Sequence, residues 1–137
     1  MSKILIYTDG GARGNPGIAG AGAVVLDDQE NVLTEVSEYL GNDKTNNWAE
    51  YEAIVLALQK CIELGLQGSE VELRADSKLA VEQLNGNWKV KNASVREQFM
   101  KVQELLKDFK DIKFVHVRRE LNTEADALAN VAMDREV

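Results

Sequence analysis

The sequence predicts an α/β domain with elements in the order βββαβααβα, and three features of its 137 residues predict it. Residues 4–40 hold three short apolar or alternating runs separated by turn-forming residues, the pattern of a meander. From Asn47 the apolar residues recur instead at threes and fours, the period of a helix packed on a sheet. Beyond Gly65, short β-branched runs alternate with further helical stretches.

Each element has its own signal. Ile4 to Thr8 is apolar and β-branched and runs into Asp9-Gly10-Gly11, which reads as a buried strand ending in a turn. After the Gly-rich segment through Gly17, Ala21 to Leu26 forms a second strand. The turn-like Asp27-Asp28-Gln29-Glu30-Asn31 leads to a third, Val32 to Leu40. Trp48, Tyr51, Ile54, Val55, Leu58 and Ile62 define the face of a long helix, with Gly65 where a C-cap belongs and Glu50 in its first turn. Val71 to Ala75 is a fourth strand. Ser77 caps a short helix through Leu84, which Asn85-Gly86 ends. A helix from about Ser94 to Phe109 shows Val95, Phe99, Val102, Leu105 and Leu106 on one side, Ile112 to Val117 is a fifth strand, and Asn122 or Thr123 caps a last helix through Ala132. There is no repeat, low-complexity tract or linker, so one domain over 1–137 is expected.

Composition narrows the function classes. With 16 Lys plus Arg against 23 Asp plus Glu, the net charge of -7 opposes indiscriminate binding to phosphate backbones, so any polyanion must be met locally. The single cysteine, Cys61, lies in a helical apolar pattern and reads as a core residue, consistent with a reducing cytoplasm. The apolar run at residues 4–7 is too short for a signal peptide, and no later stretch approaches the length that spans a bilayer. A soluble cytoplasmic monomer is expected.

Asp9 follows the first strand, Asp76 the fourth, and Asp126 falls in the first turns of the last helix. If the first and fourth strands are parallel neighbours, Asp9 and Asp76 meet at the edge where α/β sheets place ligands, and two helix starts can close the cluster with Glu50 and Asp126. Four acids this close repel unless cations neutralise them, and hard oxygen ligands suit Mg²⁺ or Mn²⁺ better than Zn²⁺. Two such ions about 4 Å apart would serve phosphodiester cleavage. Taken singly, each acid has an ordinary alternative: Asp9 and Asp76 as turn residues, Glu50 and Asp126 as partners of helix dipoles.

Four segments carry a family resemblance. Tyr7-Thr8-Asp9-Gly10-Gly11-Ala12-Arg13-Gly14-Asn15-Pro16-Gly17, then Gly20-Ala21-Gly22, resembles the opening signature of type 1 ribonuclease H. Thr45-Asn46-Asn47-Trp48-Ala49-Glu50 is similar to the family's second motif, Ala75-Asp76-Ser77 to its third, and Asn122-Thr123-Glu124-Ala125-Asp126-Ala127-Leu128-Ala129 to its fourth. The resemblance runs from end to end in the family's order. It implies a mixed five-stranded sheet in order 3-2-1-4-5 with helices on both faces, and metal ligation by Asp9, Glu50, Asp76 and Asp126. It further implies cleavage of the RNA strand of an RNA/DNA hybrid, leaving 5'-phosphate and 3'-hydroxyl.

Substrate contacts follow on the same footing. Gly10, Asn46 and Asn47 match positions where the family reads RNA, and amide and backbone groups there can probe a 2'-hydroxyl. Gly11, Arg13 and Asn15 belong to the same Gly-rich segment, which leads into a strand and so reads as a place of close backbone approach rather than a phosphate loop. Ser77 is either a helix cap or a substrate contact.

Two departures from the family stand out. Many relatives carry a histidine on a loop before the last helix, but here the only histidine, His116, reads as a half-buried member of the fifth strand. Arg118, Arg119 or Glu120 would then take over part of that work, with Arg118 the first choice and its pairing with Glu120 or Glu124 the ordinary alternative. The strongly basic protrusion of some relatives is missing too. The locally basic stretch Trp88-Lys89-Val90-Lys91-Asn92-Ala93-Ser94-Val95-Arg96 is a modest substitute, in which Trp88 either stacks on the substrate or plugs the core. Two rival functions remain open: a catalytically weak or inactive hybrid-binding module of the same fold, and a nucleotide-dependent phosphotransferase, which would need a second lobe.

Overall fold

The computed structural model describes residues 2–135. Strands β1 (Lys3–Arg13), β2 (Gly17–Asp27) and β3 (Val32–Lys44) precede helix α1 (Asn46–Glu63). Then come β4 (Glu70–Ala75), α2 (Lys78–Leu84), α3 (Ala93–Leu106), β5 (Asp111–His116), a 3-10 turn (Arg119–Leu121) and α4 (Thr123–Asp134). The sheet order is β3-β2-β1-β4-β5, as expected. The first three strands are antiparallel, whereas β4 runs parallel to both β1 and β5.

Helices cover the two faces unequally. On one face Ile4, Ile6, Val71, Leu73 and Phe114 pack with Tyr51, Ile54, Leu58 and Cys61 of α1 and with Val81, Val95 and Val102 of α2 and α3. Each large side chain fully buried there stabilises the fold by roughly 1.5–3 kcal/mol. The other face carries α4, seated mainly on β2. Burial pushes the Cys61 thiol up to about 12, which suits a core residue and not a nucleophile. Among the described residues no helix is long and apolar enough to cross a membrane.

Several boundaries differ from the expected ones, for identifiable reasons. β1 does not end at Thr8: Asp9 to Arg13 continue the ladder opposite Gly22 to Ile18, and the turn comes only at residues 14–16. Gly10 therefore serves close packing instead of a turn, because a Cβ there would lie 2.1 Å from the Ala49 carbonyl oxygen of α1. Gly22 does the same on the opposite face, 2.1 Å from the Ala125 carbonyl oxygen of α4 by the same construction. α1 begins at Asn46 behind a Thr45 cap, whose Oγ1 accepts from the Trp48 N–H at 3.2 Å, so Glu50 falls beyond the first turn. Gly65 does follow its C-terminus at φ 72°. Neither Asn122 nor Thr123 caps α4 with its side chain, since Asn122 Nδ2 instead donates to the Thr8 carbonyl at 2.8 Å.

Close helix packing has a direct test. Gly22→Ala forces α4 off β2 and should cost about 1–3 kcal/mol or more in urea unfolding. Gly68→Ala, with no atom of the described residues within 4 Å of its added Cβ, should be near neutral. Equal stability of the two variants would contradict this packing.

Candidate active site

The parallel pairing of β1 with β4 sets the site. Thr8 pairs with Ala75, so the next residues, Asp9 and Asp76, stand side by side at the carboxyl edge of the sheet. α1 brings Glu50 to them over Gly10. Asp9, Glu50 and Asp76 offer carboxylate oxygens that all lie within 4.8 Å of one another. Asp126, in the first turn of α4, stands outside that triangle and joins it through Asp9. Asp9, Glu50 and Asp126 line one open cavity of about 510 Å³ together with Gly10, Asn46 and Arg119.

Burial and like charge dominate the electrostatics. Asp9 is 5% exposed, and its pKa is pushed up to about 8, first by burial, then by a carboxyl hydrogen bond with Asp126 and by the charge of Asp76. Glu50 is raised as well, first by burial and then by the charges of Asp9 and Asp76, partly offset by the Gly10 N–H. Glu50 Oε2 and Asp76 Oδ2 are buried without a hydrogen-bond partner among the described residues. A buried acceptor with no donor is costly, and a cation is the partner that would satisfy both. The donor set is all oxygen, so it fits a hard divalent ion.

The remaining expected site residues separate into three groups. Gly10, Gly11, Arg13 and Asn46 line the cavity. Asn46 Oδ1 accepts from the Ala12 N–H at 2.7 Å, and the Asn46 N–H donates to Asn15 Oδ1 at 3.1 Å, so Asn15 and Asn46 stitch the β1–β2 turn to α1. Arg13 is drawn toward α4 by Asp134, at 2.6 Å, and by Asn130. Asn47 is exposed at the start of α1, while Ser77 caps α2 by accepting from the Ala80 N–H at 3.2 Å. Trp88 is 43% exposed, which makes it no core plug.

Two expectations need correction. His116 does end β5, opposite Ala75, but it is exposed and not half-buried, because it is the last residue of the strand at the edge of the sheet. Arg118 does not line the cavity: its side chain is 81% exposed and faces Glu120 at 3.9 Å. Arg118 caps the 3-10 turn, and that turn swings Arg119 over the cavity in its place. Only the turn reveals which of the two arginines faces inward.

Comparison with known proteins agrees with this geometry. The model of a family described as reverse transcriptase-like matches residues 7–132. A ribonuclease H of Clostridium botulinum is 35% identical over 98% of this chain and 97% of its own length. The chain belongs to the type 1 ribonuclease H family. A crystal structure of a ribonuclease H1 isolated from compost, in complex with an RNA/DNA hybrid, superposes on this family member with TM-score 0.93 at 46% identity, covering 97% of this chain and 98% of that one. A bifunctional protein of Mycobacterium tuberculosis is 44% identical over 96% of the chain, which spans only 36% of that protein's length.

For this ribonuclease H family member, the raised carboxyl pKa values make a prediction without divalent ions. Folded Asp9 keeps its proton up to about pH 8, whereas an unfolded aspartate releases it near pH 4, roughly. Its contribution to stability is therefore full at low pH and is lost as pH rises through the folded value. In EDTA, urea stability should fall between about pH 4 and 8, Asp9→Asn should flatten that slope, and Mn²⁺ should raise the midpoint at pH 8. A wild-type slope identical to that of Asp9→Asn would refute the assigned burial.

Proposed function

We propose that the chain hydrolyses the RNA strand of RNA/DNA hybrids at the cavity lined by Asp9, Glu50 and Asp126, leaving 5'-phosphate and 3'-hydroxyl ends. One observation carries the reading: three carboxylates within 4.8 Å, with partnerless buried oxygens on Glu50 and Asp76, at the open edge of the sheet. That a ribonuclease H1 of 46% identity was solved with a hybrid supports the choice of substrate.

Asp9, Glu50, Asp76 and Asp126 would hold two Mg²⁺ or Mn²⁺ ions. Bound there, divalent cations supply Lewis-acid stabilisation of a phosphoryl group and lower the pKa of water. The chain's own groups supply the rest. Asp9, shared between the triangle and Asp126, keeps the four acids in one cluster. Arg119 offers a fixed cation to charge developing on the scissile phosphate. Gly10, Gly11 and Asn47, with the Asn46 side chain, form the wall against which the RNA strand lies, where backbone and amide groups meet its 2'-hydroxyls. Arg13 at the rim and the exposed Trp88 with Lys89 and Lys91 contact the backbone beyond, which is how a chain of net charge -7 meets a polyanion locally.

A labelled RNA/DNA hybrid with Mg²⁺ or Mn²⁺ tests the reading, with duplex DNA and duplex RNA as controls. Hybrid alone should be cut, and Asp9→Asn should abolish turnover in a folded chain. Binding without cleavage would instead make it a hybrid-binding module. Arg119→Ala should lower kcat about 10²-fold while Arg118→Ala changes it little, by analogy with removal of one charge-stabilising donor. The reverse ranking would return the role to Arg118.

A further inference from the structure

We propose that Tyr51 and Gln83 form a buried tether that fixes the loop between α2 and α3 in the position from which it grips the hybrid. They are positioning residues for substrate binding, and the inference rests on the hybrid-cleaving reading above.

The tether is continuous. Tyr51, fully buried in α1 beside Glu50, donates its hydroxyl proton to Gln83 Oε1 at 2.6 Å. Gln83, 5% exposed in α2, donates from Nε2 to the Lys89 carbonyl at 3.1 Å. The next carbonyl, that of Val90, accepts from Arg96 of α3 at 3.1 Å. Two successive carbonyls of one loop are thus held from different helices. The Asn87 and Trp88 N–H groups, both donating to the Glu82 carbonyl at 2.9 and 3.3 Å, fix its start. Between these anchors stand exposed Trp88, Lys89 and Lys91.

Packing alone does not call for this pair. A phenylalanine and a leucine would fill the same space without burying a hydroxyl and an amide. What the polar pair adds is direction, since it specifies where the Lys89 carbonyl sits and so where Trp88 and Lys91 point. A loop already ordered loses less conformational freedom when the substrate arrives, which strengthens binding and leaves the chemical step alone. Adjacency to Glu50 offers the competing possibility that Tyr51 serves the acid cluster, and the two differ in which kinetic constant they move.

The test uses Tyr51→Phe and Gln83→Leu in the full chain, with Trp88→Ala reporting on the loop contact. KM and kcat are measured on a labelled hybrid, and amide hydrogen exchange is followed over residues 89–91. Expected are faster exchange in both tether variants and KM raised about three- to tenfold with kcat within about twofold. The combination of Tyr51→Phe with Trp88→Ala should raise KM by less than the product of the single effects. A merely structural pair would lower the unfolding midpoint and leave KM where it was, which overturns the proposal. So do a fall in kcat at constant KM, and a Trp88→Ala variant with unaltered KM. Unchanged exchange at residues 89–91 in Gln83→Leu removes the tether even if the chain cuts no hybrid, whereas absence of cleavage with accelerated exchange overturns the functional reading and with it the tether's part in gripping the hybrid.

Discussion

Carboxylates buried together repel one another, and at the carboxyl ends of β1 and β4 three of them share a space in which their oxygens lie within 4.8 Å. Only a stiff scaffold holds such a group in place. The parallel β1–β4 ladder supplies two of the three from adjacent strands, where backbone hydrogen bonds on both sides prevent them from spreading. The raised pKa of Asp9 and the partnerless oxygens of Glu50 and Asp76 are two symptoms of one condition, a crowding of buried carboxyl groups that the described residues do not neutralise.

Helix placement is subordinate to that cluster. Glu50 and Asp126 reach it from opposite faces of the sheet only because α1 and α4 lie directly on backbone, at Gly10 and Gly22. Gly22 pairs with Asp9, so the glycine that admits α4 is the cross-strand neighbour of the central acid. The Asn122 side chain, buried and bonded to the Thr8 carbonyl, ties the start of α4 to β1 one residue from Asp9. Side chains absent at two positions and one side-chain amide hydrogen bond therefore decide the distance between Asp126 and its partner.

Fold and cluster were legible in the sequence because each depended on long-range pattern: periodicity changing at Asn47, short runs ending in acids, four motifs in order. What misread was local. Gly10-Gly11 looks like a turn when only backbone freedom is considered, yet its meaning is the helix pressed against it, which no single segment contains. The start of α1 moved because Thr45, not a later residue, accepts the capping hydrogen bond. Arg118 and Arg119 are equivalent by composition, and in a segment without a repeating period nothing sets the phase until the 3-10 turn does. The strand that holds His116 is legible from its apolar run, but the exposure of its last residue follows from the strand's place at the sheet edge.

Charge sets the last constraint. An acidic chain with an acidic cavity repels nucleic acid at long range, so attraction must come from groups close to the substrate and already in position. Residues 88–96 carry three cations and no anion, and their loop is held by hydrogen bonds from α2 and α3 instead of being free. A long basic arm can search for its target and pay in ordering entropy; a short pinned one must be built correctly from the start. The molecule thus applies one solution at the acid cluster and at the loop after α2: backbone carbonyls held by side chains of neighbouring helices, so that a few charged side chains stand in fixed positions.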